Sequence, residues 1–297
     1  MSKLNYAVYA EGCMYPATAP AHQPVSTTIS QLQQSGFTTA ILSLFHIGRN
    51  YSISPPQIMG DIYFNDTLII SNGSYVGDSS WPGLINGMIK GTVAQVCASI
   101  GGGGVMDFQT IQKIYASHGN SFAGTNLEQN FKVLQKEFPS ISIIDMDCEE
   151  AYDQDSFVAF CQMLIDIGFG ITFCPYTYPS FWTGSLAALN NSNHGAVKWW
   201  NMQCYDGGTG NDPAKWAEAI TQTIPEFSTD GFILAGDWTN DDPPDVQTLM
   251  STFTKESCVG GGFIWTLDQI IQKKPQNPLT LMKDYVDAIS VGLGKIL

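Results

Sequence analysis

The sequence predicts an α/β fold closed into a single (β/α)8 barrel, with a hairpin inserted after the second strand. Three observations predict it. Eight short strand-like runs alternate with helix-like segments from end to end, and eight strands close such a barrel. No linker, low-complexity tract or charge run divides the chain, so residues 1–297 are expected to form one domain. The first strand-like run leads into Glu11-Gly12-Cys13-Met14-Tyr15-Pro16, which is not the glycine-rich phosphate loop of an open doubly wound sheet.

In chain order the strand-like runs are 6–13, 39–47, 94–100, 141–149, 170–176, 197–205, 231–236 and 261–267. Each is rich in β-branched and aromatic residues and is bounded by Gly, Pro or Ser. Helical spacing recurs at 125–137, 155–167, 213–222, 245–253 and 279–290. The excursion at 61–77 reads as a hairpin, with Ile62-Tyr63-Phe64 and Thr67-Leu68-Ile69-Ile70 joined by a two-residue Asn65-Asp66 turn. An insertion after a barrel strand falls on the face where active sites sit, so this hairpin either walls a groove or decorates the surface.

Composition narrows the function. The formal net charge is −14, which disfavours nucleic acids and anionic membranes as partners but leaves an uncharged glycan unopposed. No run of about 18 or more apolar residues occurs, so no membrane span is expected. The start, Met1-Ser2-Lys3-Leu4-Asn5-Tyr6, lacks the basic start and apolar stretch of a secretory signal. It predicts a cytoplasmic protein, a processed form, or export by a route that needs no such signal. Seven cysteines, among them Cys97, Cys148, Cys174 and Cys204 in apolar runs, fit neither a disulfide framework nor a zinc site and are expected as buried thiols. His46, His118 and His194 are scattered and suggest no metal cluster.

The run Asp145-Met146-Asp147-Cys148-Glu149 carries the chemistry. Alternation along a strand turns Asp145, Asp147 and Glu149 to one face, about 6.6 Å apart in succession, while Ile144, Met146 and Cys148 face the outer helices. Three acids directed into a barrel cannot all ionise without a large like-charge cost, so at least one should hold a proton near neutral pH. A carboxylic acid kept protonated is what a general acid needs to protonate a leaving sugar oxygen. Solvated acids on an edge strand fit poorly, because Ile141-Ser142-Ile143-Ile144 leads in as a buried strand and a barrel has no edge. A hard-cation site built on Asp145 and Asp147 would want further carboxylates or basic groups, and Lys and Arg together number 13.

With these residues in place the sequence resembles the family 18 glycoside hydrolases, and within them the hevamine-like, plant-type chitinases. Their signature ends in Asp-x-Asp-x-Glu on the fourth barrel strand, matched by Asp145, Asp147 and Glu149. Ala98-Ser99-Ile100-Gly101-Gly102-Gly103 matches the third-strand Ser-x-Gly-Gly element, and Phe173-Cys174-Pro175-Tyr176 looks like the fifth-strand segment. Asn201-Met202-Gln203-Cys204-Tyr205-Asp206 matches the sixth-strand motif, and Gly260-Gly261-Gly262-Phe263-Ile264-Trp265 the last strand. Two positions differ from the pattern: Ser142-Ile143 stands where Asp-Gly is usual, and Cys148 where an aromatic residue is frequent.

The resemblance implies a retaining mechanism in which the substrate's own N-acetyl oxygen, not a protein carboxylate, attacks the anomeric carbon. Glu149 would then be the acid and afterwards the base, and Asp147 would orient the acetamido nitrogen. Asp145 would share a proton with Asp147, and Tyr205 would donate to the acetamido oxygen. Tyr9, Gly101, Gly102, Gln203 and Trp265 would bind the sugar, with Trp265 stacked on its apolar face. No metal or organic cofactor is implied, and the expected partner is a glycan containing N-acetylglucosamine. Trp199, Trp200 and Tyr178 fit either a sugar groove or the core. Three other readings stay open: an endo-N-acetylglucosaminidase acting on N-glycan cores, a non-catalytic glycan-binding or toxin-associated barrel, and a metal-dependent glycosyl-transfer enzyme; export as part of a toxin or secretion complex would fit a chain without a signal.

Overall fold

The parallel ladder that closes on itself organises everything else. The structure, a computed structural model, describes residues 4–19, 23–47 and 59–294, so the start Met1-Ser2-Lys3 lies outside the described residues. The strands in chain order are β1 (Asn5–Ala10), β2 (Thr39–Ile47), β3 (Ile62–Phe64), β4 (Thr67–Ser71), β5 (Ser74–Tyr75), β6 (Gln95–Gly101), β7 (Ile141–Asp147), β8 (Gly170–Phe173), β9 (Val197–Gln203), β10 (Ile233–Trp238) and β11 (Val259–Trp265). Each of β1, β2, β6, β7, β8, β9, β10 and β11 pairs in parallel with two neighbours, and β1 joins both β2 and β11. That last pairing makes a closed eight-stranded barrel.

The (β/α)8 prediction and the inserted hairpin are both present. β3 runs antiparallel to the end of β2 (Phe45 opposite Phe64), turns at Asn65 (φ 50°), and continues through β4 and β5 outside the barrel. Trp81 pins this excursion to the wall: its ring centroid lies 4.9 Å from those of Phe64, Tyr15 and Phe138, and its Nε1 donates to the Met14 carbonyl at 2.6 Å.

Two apolar layers fill the molecule. Between barrel and helices lie the outward residues of each strand, including Ile144, Met146, Cys148, Phe173 and Trp200. Inside the barrel lie Ala7, Tyr9, Ile41, Cys97, Ile143, Cys174, Leu234 and Phe263, with Trp199, Tyr205 and Trp265 packed against them. Trp200 is therefore core, as is usual for a large aromatic on a barrel strand. Trp199 reaches into the barrel, where its Nε1 donates to Asn201 at 2.9 Å. Among the described residues all seven cysteines are free and buried.

Helix boundaries follow local chemistry. In the helix Gln154–Ile167, Asp153 caps the start by accepting from Ser156 N at 3.1 Å, and Gly168 ends it in the left-handed conformation at φ 117°. The strands read from sequence overrun on the exit side: 141–149 ends at Asp147, 170–176 at Phe173 and 197–205 at Gln203. Apolar and aromatic composition continues there because those exits line a cleft, not because the ladder does.

Among the buried carboxyls outside that cleft, Asp237 has its titration moved furthest. Asp237 on β10 is 1% exposed; its Oδ1 accepts from the Trp238 N–H at 2.9 Å, and its Oδ2 is buried with no donor. Burial pushes its pKa up from 3.8 to about 7, and Asp241 and Asp245 add to the rise while the Trp238 N–H opposes it. A carboxyl raised by folding binds more protons folded than unfolded between those two values, so its stability is present below about pH 4 and is lost as pH rises through about 7. Asp237→Asn should therefore flatten the fall in melting temperature between pH 4 and 8. Thermal scans of both proteins across that range check this, and parallel curves would contradict it.

Candidate active site

Asp145 sits at the centre of the barrel with no solvent exposure, and four strands supply its partners. Tyr9 Oη and Ser99 Oγ each donate to Oδ2 at 2.8 Å, and Thr172 Oγ1 and Asn201 Nδ2 donate to Oδ1 at 2.7 and 2.9 Å. Register explains the meeting: Ser99 and Thr172 are the direct cross-strand partners of Asp145 on β6 and β8. Burial raises the Asp145 pKa, and the hydrogen bonds, led by Thr172, pull against that rise.

Asp147 lies one pleat higher, 4% exposed, and Glu149 lies just past the strand end at the cleft floor. Gln203 Nε2 bridges them, at 3.2 Å from Asp147 Oδ1 and 3.4 Å from Glu149 Oε1. Burial, then the charge of Glu149, then that of Asp145 hold the Asp147 carboxyl well above its usual range. Burial likewise raises Glu149, with Gln203 opposing. The resemblance assigns the shared proton to Asp145 and Asp147. Here the Asp145 oxygens are taken by four donors, while the Asp147 carboxyl above feels the charges of both Glu149 and Asp145. The same four donors leave Asp145 no free lone pair for a cation, against the metal reading.

The cleft above, of about 320 Å³, opens at the C-terminal ends of the strands. Its lining comes from seven of them: Leu44, Gly102 and Gly103, Asp147 and Glu149, Tyr176, Gln203 and Tyr205, Trp238, and Trp265. Gly102, Gln203, Tyr205 and Trp265 thus lie where the sequence predicts. Tyr9 does not: it is 1% exposed beneath the floor, its ring centroid 5.3 Å from that of Trp265 and its hydroxyl bonded to Asp145, so it braces the acid and does not line the cleft. Gly101 is buried too, and it matters by lacking a side chain. At φ 111° a Cβ there would meet the Asp147 carbonyl oxygen at 2.1 Å, which lets Gly102 N donate to that oxygen at 2.8 Å. The hairpin residues do not line the cleft, which favours the surface reading of 61–77.

Cys174 is the participant that sequence reasoning passes over. Its Sγ lies 3.3 Å from Tyr9 Oη and 3.6 Å from Gln203 Nε2, and it hydrogen-bonds Asp147. Burial first, then the neighbouring charges of Asp147 and Asp145, keep it a protonated thiol. Trp238 is also missed, because the run read at 231–236 stops short of it. Alternation from Leu234 through Gly236 would have placed it inward, where it stacks on Tyr205 with ring planes 23° apart. The two departures from the family pattern lie away from the cleft: Ser142 is exposed and bonded to Gln95, and the Cys148 thiol donates to the Ala151 carbonyl at 3.3 Å within the outer core.

No family model and no curated protein matches the sequence. Solved structures do match in fold. The catalytic domain of a family GH18 chitinase from the fern Peteris ryukyuensis aligns with a TM-score of 0.56 at 14% identity, covering 95% of this chain and 99% of that one. Active domain 2 of a thermostable chitinase from Pyrococcus furiosus, solved as catalytic-site mutants with chito-oligosaccharides, aligns at 0.59 and 13% identity, covering 90% and 85%. A xylanase and α-amylase inhibitor protein from Scadoxus multiflorus aligns at 0.51 and 15% identity over the whole of both chains. At these identities the likeness shows a TIM-barrel fold of the kind GH18 chitinases have.

Gly101→Ala should lose both the left-handed backbone and the clearance to Asp147, and should unfold at a markedly lower temperature than Gly104→Ala. Gly104 also has positive φ (72°), but nothing lies within 4 Å of a Cβ there, so it should lose about 1–2 kcal/mol from backbone strain alone. Equal melting temperatures for the two variants would contradict the close approach of β6 to Asp147.

Proposed function

We propose that this chain is a glycoside hydrolase of the GH18 type, hevamine-like in its motifs, which cleaves β-1,4 bonds next to N-acetylglucosamine in chitin or chito-oligosaccharides. One observation carries the reading: Asp147 and Glu149, bridged by Gln203 and both raised above the ordinary carboxyl range, stand at the floor of an open cleft that also presents Tyr205 and Trp265. A proton reaches a glycosidic oxygen through Glu149, which is half-buried and so keeps its acid form above the ordinary carboxyl range. Asp147, then ionised, faces where an acetamido N–H would lie. Tyr205, kept a phenol by burial and the nearby acids, is a donor for the acetamido oxygen. That oxygen would attack the anomeric carbon, and Glu149 would then draw a proton from water to open the ring intermediate. Trp265 offers an indole face to the sugar. The substrate is neutral, in keeping with the acidic chain.

A barrel that binds glycan or protein without cleavage is the second reading, favoured by the fold likeness to a protein named as an inhibitor. An endo-N-acetylglucosaminidase would use the same residues on N-glycan cores. Incubation with N-acetyl chito-oligosaccharides and with a high-mannose glycoprotein separates the three.

Wild-type protein should release products with retained β configuration, read by NMR within the first turnovers, and Glu149→Gln should lower kcat by at least about 100-fold, the usual contribution of a positioned acid. The falling limb of kcat/KM against pH should lie above the ordinary glutamate value of about 4.3, because a raised pKa keeps the acid protonated there. No cleavage of any N-acetylglucosamine oligomer between pH 4 and 8 would end the hydrolase reading.

A further inference from the structure

We propose that Tyr178, stacked on Tyr152, is a sugar platform for the leaving-group side of the glycan, extending the cleft past Glu149 to the rim above β7 and β8. This rests on the hydrolase reading above and adds where the chain runs. In the closed ring β11 and β7 lie opposite each other, four strands apart in either direction. Trp265 stands at one side of the cleft and Glu149 faces it, so the sugar over Trp265 ends at the bond that Glu149 protonates, and the departing sugars must lie on the far side of Glu149.

An aromatic surface waits there. Tyr178 is 58% exposed, and its ring lies 4.6 Å from that of Tyr152 with planes 29° apart, which leaves one face covered and the other open. Tyr152 is fixed from three directions: its hydroxyl donates to the Glu149 carbonyl at 2.8 Å, it hydrogen-bonds Tyr176 at the cleft wall, and Phe181 meets it edge-on at 5.1 Å. The platform is thus tied to the backbone of the acid itself. Tyr178 also holds a left-handed backbone, φ 54° and ψ 58°, a conformation unfavourable for a bulky residue. Its carbonyl accepts from Phe181 N at 3.0 Å, and Trp182 Nε1 donates to the Thr177 carbonyl at 2.9 Å, so the surrounding turn holds that ring at the rim. A rigid ring with one free face beside a polar cleft suits the apolar face of a pyranose and needs no charge.

The test compares Tyr178→Asn, which removes the ring but tolerates left-handed backbone, with Tyr178→Phe, which keeps it. Substrates are N-acetylchitohexaose and the β-fluoride of diacetylchitobiose, whose leaving group cannot reach the platform. Tyr178→Asn should lower kcat/KM on the hexaose about three- to tenfold, leave the fluoride unchanged, and be matched by no loss in Tyr178→Phe. An unchanged hexaose rate, or an equal fall on both substrates, overturns the proposal. If wild-type protein cleaves neither, the hydrolase reading fails separately, and calorimetric titration of hexaose into Glu149→Gln with and without Tyr178→Asn decides the platform. Weaker binding by about three- to tenfold supports it on a glycan-binding protein; equal affinity, or no hexaose binding at all, overturns it.

Discussion

The structure depends on placing one carboxylate, Asp145, in the dry centre of a barrel. Removing that charge from water costs several kcal/mol. Hydrogen bonds to a charged group return about 1.5–3 kcal/mol each, so four of them are of the size required. They come from β1, β6, β8 and β9, so the barrel closes around the acid and the acid fixes the height at which those strands meet. With its oxygens fully engaged, Asp145 acts upward only as a charge. Asp147 above it feels that charge together with the charge of Glu149, the one acid of the three that lines the cleft from beyond the strand end.

This division of labour makes the site intelligible. The lower acid is structural and electrostatic, the middle one is held between burial and its neighbours, and the outer one opens onto the cleft. Small residues matter as much as polar ones: Gly101 lets β6 close onto the Asp147 carbonyl. Aromatic residues mark both ends, with Trp265 over Tyr9 on one side and Tyr178 over Tyr152 on the other. An excess of negative charge around such a site favours a neutral ligand and tolerates raised carboxyl pKa values, since few cations are present to lower them.

Much of this was legible in the sequence because period-2 alternation is local. Asp145 and Asp147 inward, Met146 and Cys148 outward, and the hairpin at Asn65-Asp66 all follow from a few adjacent residues. What was not legible depends on distant partners. Tyr9 reads as a ligand contact until its hydroxyl is found on a carboxyl 136 positions away. Cys174 reads as an inert thiol because nothing nearby in sequence shows that it packs against Asp147 and Gln203. The strand exits were overextended for a related reason: residues such as Tyr176 and Tyr205 look like strand by composition, but they are held by cleft packing and turns.

In the proposed function a sugar's acetamido group lies between Asp147 and Tyr205, over Trp265. A crystal soaked with a thiazoline analogue of the cyclised N-acetylglucosamine intermediate tests it most directly. The analogue's ring should stack on Trp265, with its nitrogen within hydrogen-bond distance of an Asp147 oxygen and Glu149 beside the anomeric carbon. An analogue that leaves this cleft empty at saturating concentration, or binds with its bicyclic ring turned away from Asp147, would contradict it.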